Sequence, residues 1–114
     1  MVVIFKYIFR RNYVGLTLWP FIILKNTALR EDLILINHER IHLKQQLELL
    51  VLPFYIIYVL EWMFRSILYL NTYKAYKNIS FEREAYENEK DLEYCKNRRP
   101  FGFIKYIWGR KANV

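Results

Sequence analysis

At 114 residues the chain has room for one domain, because neither half alone would bury enough apolar surface to fold, and a multidomain organisation is excluded. Hydrophobic residues make up 54% and aromatic residues 18%, more than one small core hides, so the surplus calls for a membrane surface, a second subunit of a homo-oligomer or a ligand cleft. The formal charge of +7 comes from basic residues gathered near the ends, Lys6, Arg10 and Arg11, then Lys96, Arg98, Arg99, Lys105, Arg110 and Lys111; beside so many apolar side chains this favours an anionic lipid surface, and no nucleic-acid motif accompanies it.

The first segment, MVVIFKYIFR, fits either a strand or a short helix. It lacks the small-residue cleavage pattern of a secretory signal, and the lone Cys95 permits no intrachain disulfide and no Cys-rich zinc site. The reading is a cytoplasmic protein, peripheral to a membrane. Tyr13 to Lys25 is rich in β-branched and aromatic residues with Pro20 inside, which predicts one strand at a sheet edge, able to pair with the first segment.

From Asp32, a suitable N-cap, the pattern predicts a helix to about residue 52, a bend near Pro53 and a second helix to about residue 69. The uncharged run Leu49 to Leu60 is shorter than the roughly 20 residues of a spanning helix, and extending it takes in Glu61 and Arg65, so a buried or interfacial helix is expected. Asn71 to Asn78 reads as a polar connection, Ser80 as the cap of a third helix reaching Lys96, and Pro100 sets off the aromatic tail FGFIKYIW. The fold class is therefore mainly α with a small N-terminal β element, an α+β arrangement.

On the first long helix, Asn37, Arg40, Lys44 and Glu48 fall at spacings of three and four and form a stripe expected to face water. The other sides are dense with leucine and isoleucine, including Leu33, Ile34, Leu47 and Leu50, yet His38, Glu39, His42, Gln45 and Gln46 sit among them and must find polar partners if buried. His38 and His42, at i and i+4, project from one face and can converge on one metal ion, with Glu39 placed to act as a general base. Both histidines of the chain lie in this H-E-x-x-H pattern. A hydrolytic zinc site uses three protein ligands, so a carboxylate is sought as the third, and the acid-rich start of the third helix, Ser80 to Glu89, is its best source.

H-E-x-x-H followed by a downstream helix reading E-x-x-A-x resembles the gluzincin metallopeptidases, nearest in pattern to integral-membrane members such as prenyl-protein peptidases and the sensor peptidases of antibiotic response. Aligning Ala85 with the family's alanine implies Glu82 as the third zinc ligand, with Glu84 the alternative. The family's histidine-orienting aspartate is replaced by Tyr86, which leaves Tyr86 a second-shell group or a transition-state donor, with Arg83 another candidate donor. The resemblance implies a minimal zincin-like helical domain, a zinc cofactor and hydrolysis of a peptide or protein substrate. The strand around Leu16 to Leu24 would then hold extended substrate by strand addition. The rival reading is a non-catalytic metal-binding or membrane-associated structural module. Cys95 is taken as filler, and Arg98 and Arg99 as a solvated helix end.

Overall fold

The computed structural model describes residues 1–8 and 13–108; the basic residues Arg10, Arg11, Arg110 and Lys111 lie outside them. The fold is mainly helical with a small mixed sheet at the N-terminus. β1 (Val2–Ile4) runs parallel to β3 (Phe21–Leu24), and β2 (Gly15–Leu18) runs antiparallel to it, with Thr17 opposite Ile22, giving the order β1-β3-β2. The expected single edge strand is thus a hairpin, turned at Trp19 and Pro20, whose second half is the central strand. Pro20 is tolerated because it sits in the turn and not in a ladder. The sheet packs through Ile22 and Leu24 onto Ile36 of the first helix.

That helix, α1 (Leu33–Leu49), starts at Asp32, whose side chain accepts from the Leu35 amide at 3.0 Å. It stops at Leu50, three residues ahead of the predicted bend, with φ at +64°. Proline has no amide proton and clashes with the carbonyl four residues back, so breaking at Leu50 puts Pro53 in the first turn of α2 (Val51–Tyr69), where neither defect matters. The predicted polar connection is instead α3 (Thr72–Asn78), capped by the Asn71 side chain on the Lys74 amide. α4 (Ser80–Asn88) follows after a kink at Ile79, and the last described elements are α5 (Tyr94–Asn97) and a short turn at Ile104–Tyr106.

Ser80 does not cap α4 with its own side chain. Glu61 of α2 does so, accepting from the Ser80 amide at 2.8 Å and from its hydroxyl at 2.7 Å, while Arg65 balances the charge at 2.9 Å. A carboxylate is favoured there because the helix N-terminus carries partial positive charge and unpaired amides. The predicted helix to Lys96 is broken at Asn88, where the Asn37 side chain reaches over to donate to the carbonyls of Glu89 and Asp91. Asn37 is therefore buried and not part of a wet stripe, although Arg40 and Lys44 do face water.

Phe54, Ile79, Phe81 and Phe103 form a second apolar cluster, so the aromatic tail beyond Pro100 contributes to the core. Between the two clusters lies a polar seam, and among the described residues the buried polar and charged side chains outnumber the buried apolar ones. Part of the seam is an ion-pair network. Arg98, expected to be solvated, has a side chain only 3% exposed and donates to Glu84 at 2.6 Å and to Glu48 at 2.8 Å. Gly102 lies against this network, and a Cβ there would fall 2.6 Å from Glu84 Oε2 and 3.3 Å from the Arg99 carbonyl. Gly102→Ala is expected to destabilise the fold by about 1 to 3 kcal/mol through overpacking, read as a lower denaturant midpoint; an unchanged midpoint would refute the close packing.

Candidate metal centre

α1 and α4 pack against each other and bring three donors together. His38 Nε2 lies 3.1 Å, and His42 Nε2 3.0 Å, from the same atom, Oε1 of Glu82. One ligand atom from each residue lies within 4.8 Å of the others, and all three residues are buried. The i, i+4 spacing on α1 sets the two imidazoles edge to face at 4.9 Å between centroids, and Glu82, in the first turn of α4, faces them.

The far sides of both rings are anchored, which sets which nitrogen faces inward. Glu89 Oε1 accepts from His38 Nδ1 at 2.8 Å. Gln45 Oε1 faces His42 Nδ1 at 2.7 Å, and its amide orientation follows from its other end, where Nε2 donates to the Phe81 carbonyl and to Glu84. Both Nδ1 atoms are thus donors, and the two Nε2 atoms are left to the centre. Tyr58 donates to Glu82 Oε2 at 2.6 Å, leaving Oε1 as the oxygen aimed at the histidines.

The centre attracts positive charge. Burial pulls the His38 pKa down, but its hydrogen bonds to Glu82 and Glu89 and the nearby carboxylate charge outweigh that, raising it to about 10. His42 is shifted upward as well, burial being overcome mainly by the charge of Glu82. Burial alone would raise Glu82, yet the two imidazoles hold it well below the usual carboxylate range. What the metal-free site does with protons on both rings, a divalent cation would do with one charge centre.

Glu39 is buried on the neighbouring face of α1. Thr17 donates to its Oε1 at 2.7 Å, and Gly15, opening β2, allows its Oε2 an approach that a Cβ would crowd at 3.1 Å. Beside it opens a cleft of about 390 Å³, walled by Glu39, His42, Glu82, Tyr55, Tyr58 and Trp62. A second cleft of about 210 Å³ reaches His38, Tyr86 and Glu89, and both are bordered by Tyr13, Gly15, Glu39 and Tyr76.

The other sequence candidates fall elsewhere. Glu84 is turned away from the histidines into the Arg98 network, where Gln45 and Tyr94 also donate to it. The reason is helical geometry, since two residues along α4 from Glu82 is about 200° of rotation. Arg83 donates to the carbonyls of Tyr106 and Trp108. Tyr86 packs its ring on His38 at 4.4 Å, but its hydroxyl is engaged with Tyr76 at 3.0 Å. Cys95 is half-buried, and burial pushes its thiol up.

Glu89, Tyr58 and Thr17 were not foreseen. Glu89 was detectable, being seven residues from Glu82 and so on the same side of the helical path; Tyr58 and Thr17 come from elements whose placement no local spacing reveals. Gln45 finds its polar partners at the site, at His42, whereas Gln46 finds them at the hairpin, accepting from the Trp19 amide and donating to the Thr17 carbonyl. Comparison with protein-family models, with curated protein sequences and with solved structures finds no match to this chain.

Proposed function

We propose that the chain is a small gluzincin-like peptidase, with zinc held by His38, His42 and Glu82 and with Glu39 carrying the proton. The observation that supports this most is the convergence of both Nε2 atoms on one oxygen of Glu82, with each ring anchored from behind. Two imidazoles and a carboxylate suit zinc, and a three-donor set is the number used by hydrolytic sites, structural ones normally closing with four. Glu89 does for His38 what the missing aspartate does in the gluzincin pattern.

A zinc ion in this site would supply Lewis-acid polarisation of water and of a scissile carbonyl. Glu39 Oε1 is occupied by Thr17, so Oε2, beside Gly15, takes the proton of the attacking water and passes it to the leaving amine. The two clefts meeting at Glu39 suit an extended peptide passing over the site. Strand addition is left only the Gly15 end of β2, because the Gln46 amide already satisfies Thr17 and Trp19.

A second reading, a metal-stabilised module without turnover, is favoured by the polar interior, since Glu39, Glu82 and Glu89 crowd two histidines and a cation there would also hold the fold together. Both readings require the ion. Elemental mass spectrometry of the purified full chain is expected to find one zinc per molecule, lost in His38→Ala and in Glu82→Ala. A folded wild type that takes up no metal when zinc is supplied would end both.

A further inference from the structure

α2 has its polarity reversed. At about 100° per residue, its 19 residues divide into two half-circles. The inner half, facing α1, α3 and α4, holds the core residue Phe54, the half-buried Tyr55, Tyr58 and Trp62, and the polar Glu61, Arg65 and Ser66. Every exposed residue of the outer half is apolar, Ile56, Leu60, Phe64, Ile67 and Leu68 among them, and the surface continues into Leu50 and Leu70 at the two ends. A helix on the water-facing side of a soluble domain shows the opposite arrangement. Phe54 is its one buried residue, so most of the apolar surface of α2 is left outside the core.

We propose that the outer half of α2 docks in the plane of a lipid bilayer, its side chains among the acyl chains at the headgroup boundary. The apolar strip runs about 28 Å along the helix with no polar side chain exposed on it. A protein partner would need such groups to set register, since protein interfaces carry about one hydrogen bond per 100 to 200 Å²; hydrocarbon needs none. The C-terminal part of the helix suits anionic headgroups: Arg65 donates to the Ile107 carbonyl, which places the exposed Lys105 and Trp108 beside it. The helix lies in the plane and does not cross, because α1, packed on its inner side, carries the exposed Arg40 and Lys44 and would have to enter the hydrocarbon with it. None of this depends on the metal site.

The test is flotation of the full chain through a density gradient with vesicles of phosphatidylcholine and phosphatidylglycerol at a ratio of 3:1. Wild type is expected to rise with the vesicles. Ile56→Lys with Leu60→Lys, both exposed and so compatible with the fold, is expected to lower the partition coefficient about tenfold or more, as burial of each apolar side chain is lost. Ile67→Lys with Leu68→Lys does the same from the other end, with circular dichroism confirming the helix content of each. Wild type that stays at the bottom, or a double variant that floats as well as wild type, overturns the proposal. So does a dimer that persists with vesicles present and is broken by the lysines, which would assign the face to a second copy.

Discussion

On the proposed peptidase function, Glu39→Gln is expected to lower peptide hydrolysis by about 10²- to 10⁴-fold while zinc uptake and the melting temperature stay as in the wild type. The substitution is nearly isosteric, and a glutamine oxygen accepts the Thr17 hydroxyl as the carboxylate does at 2.7 Å. It removes only the ability to take up and release a proton. His38, His42 and Glu82 keep their partners at Glu89, Gln45 and Tyr58, none of which touches Glu39 through a hydrogen bond. The measurement is cleavage of a mixed peptide library followed by mass spectrometry, alongside zinc content. Equal cleavage by wild type and variant would remove Glu39 from the chemistry, and zinc bound by both with cleavage by neither would favour the metal-stabilised module.

Arg98→Met should cost about 3 to 5 kcal/mol, a large share of the roughly 5 to 15 kcal/mol by which such domains are stable. Glu84 is fully buried, and Arg98 is the cation that meets it, through Nε at 2.6 Å and Nη2 at 3.1 Å. Removing the guanidinium leaves a buried carboxylate with only the neutral donors Gln45 and Tyr94, and it frees Glu48, which also accepts from the Phe101 amide. Because Gln45 also holds His42, the damage extends to the candidate metal centre. Thermal unfolding of the metal-free protein should show a midpoint lower by roughly 10 to 20 °C. Adding Glu84→Gln to Arg98→Met should recover part of the loss, since the stranded charge disappears. An unchanged midpoint in the single variant would mean that the network carries no stability.

The His38 and His42 spacing was readable in the sequence because a helix converts it directly into a shared face, and the structure brings the two histidines together with Glu82. The boundaries were harder to read. The bend before Pro53 was expected, but its position at Leu50 depends on where the proline does least damage, and Leu50 accepts a positive φ for it. Ser80 looked like a cap by its chemistry, and it lost that role because Glu61, nineteen residues earlier, arrives in space at the same amides.

The sequence by itself determined the helical class, the start of α1 at Asp32 and the face carrying the candidate donors, because these follow from spacing and capping within one segment. Only the tertiary structure decided what lies between segments: that Glu82 meets the histidines while Glu84 meets Arg98, that Glu89 and Gln45 orient the rings, and that Asn37 is buried. It also decided that Leu33, Ile34, Leu47 and Leu50 are exposed and that α2 turns its charges inward. An apolar run reads the same in sequence whether its partner is a protein core or a bilayer, since hydrophobicity has no direction. The partners of Glu61 and Arg65 supply that direction, and they lie on other helices.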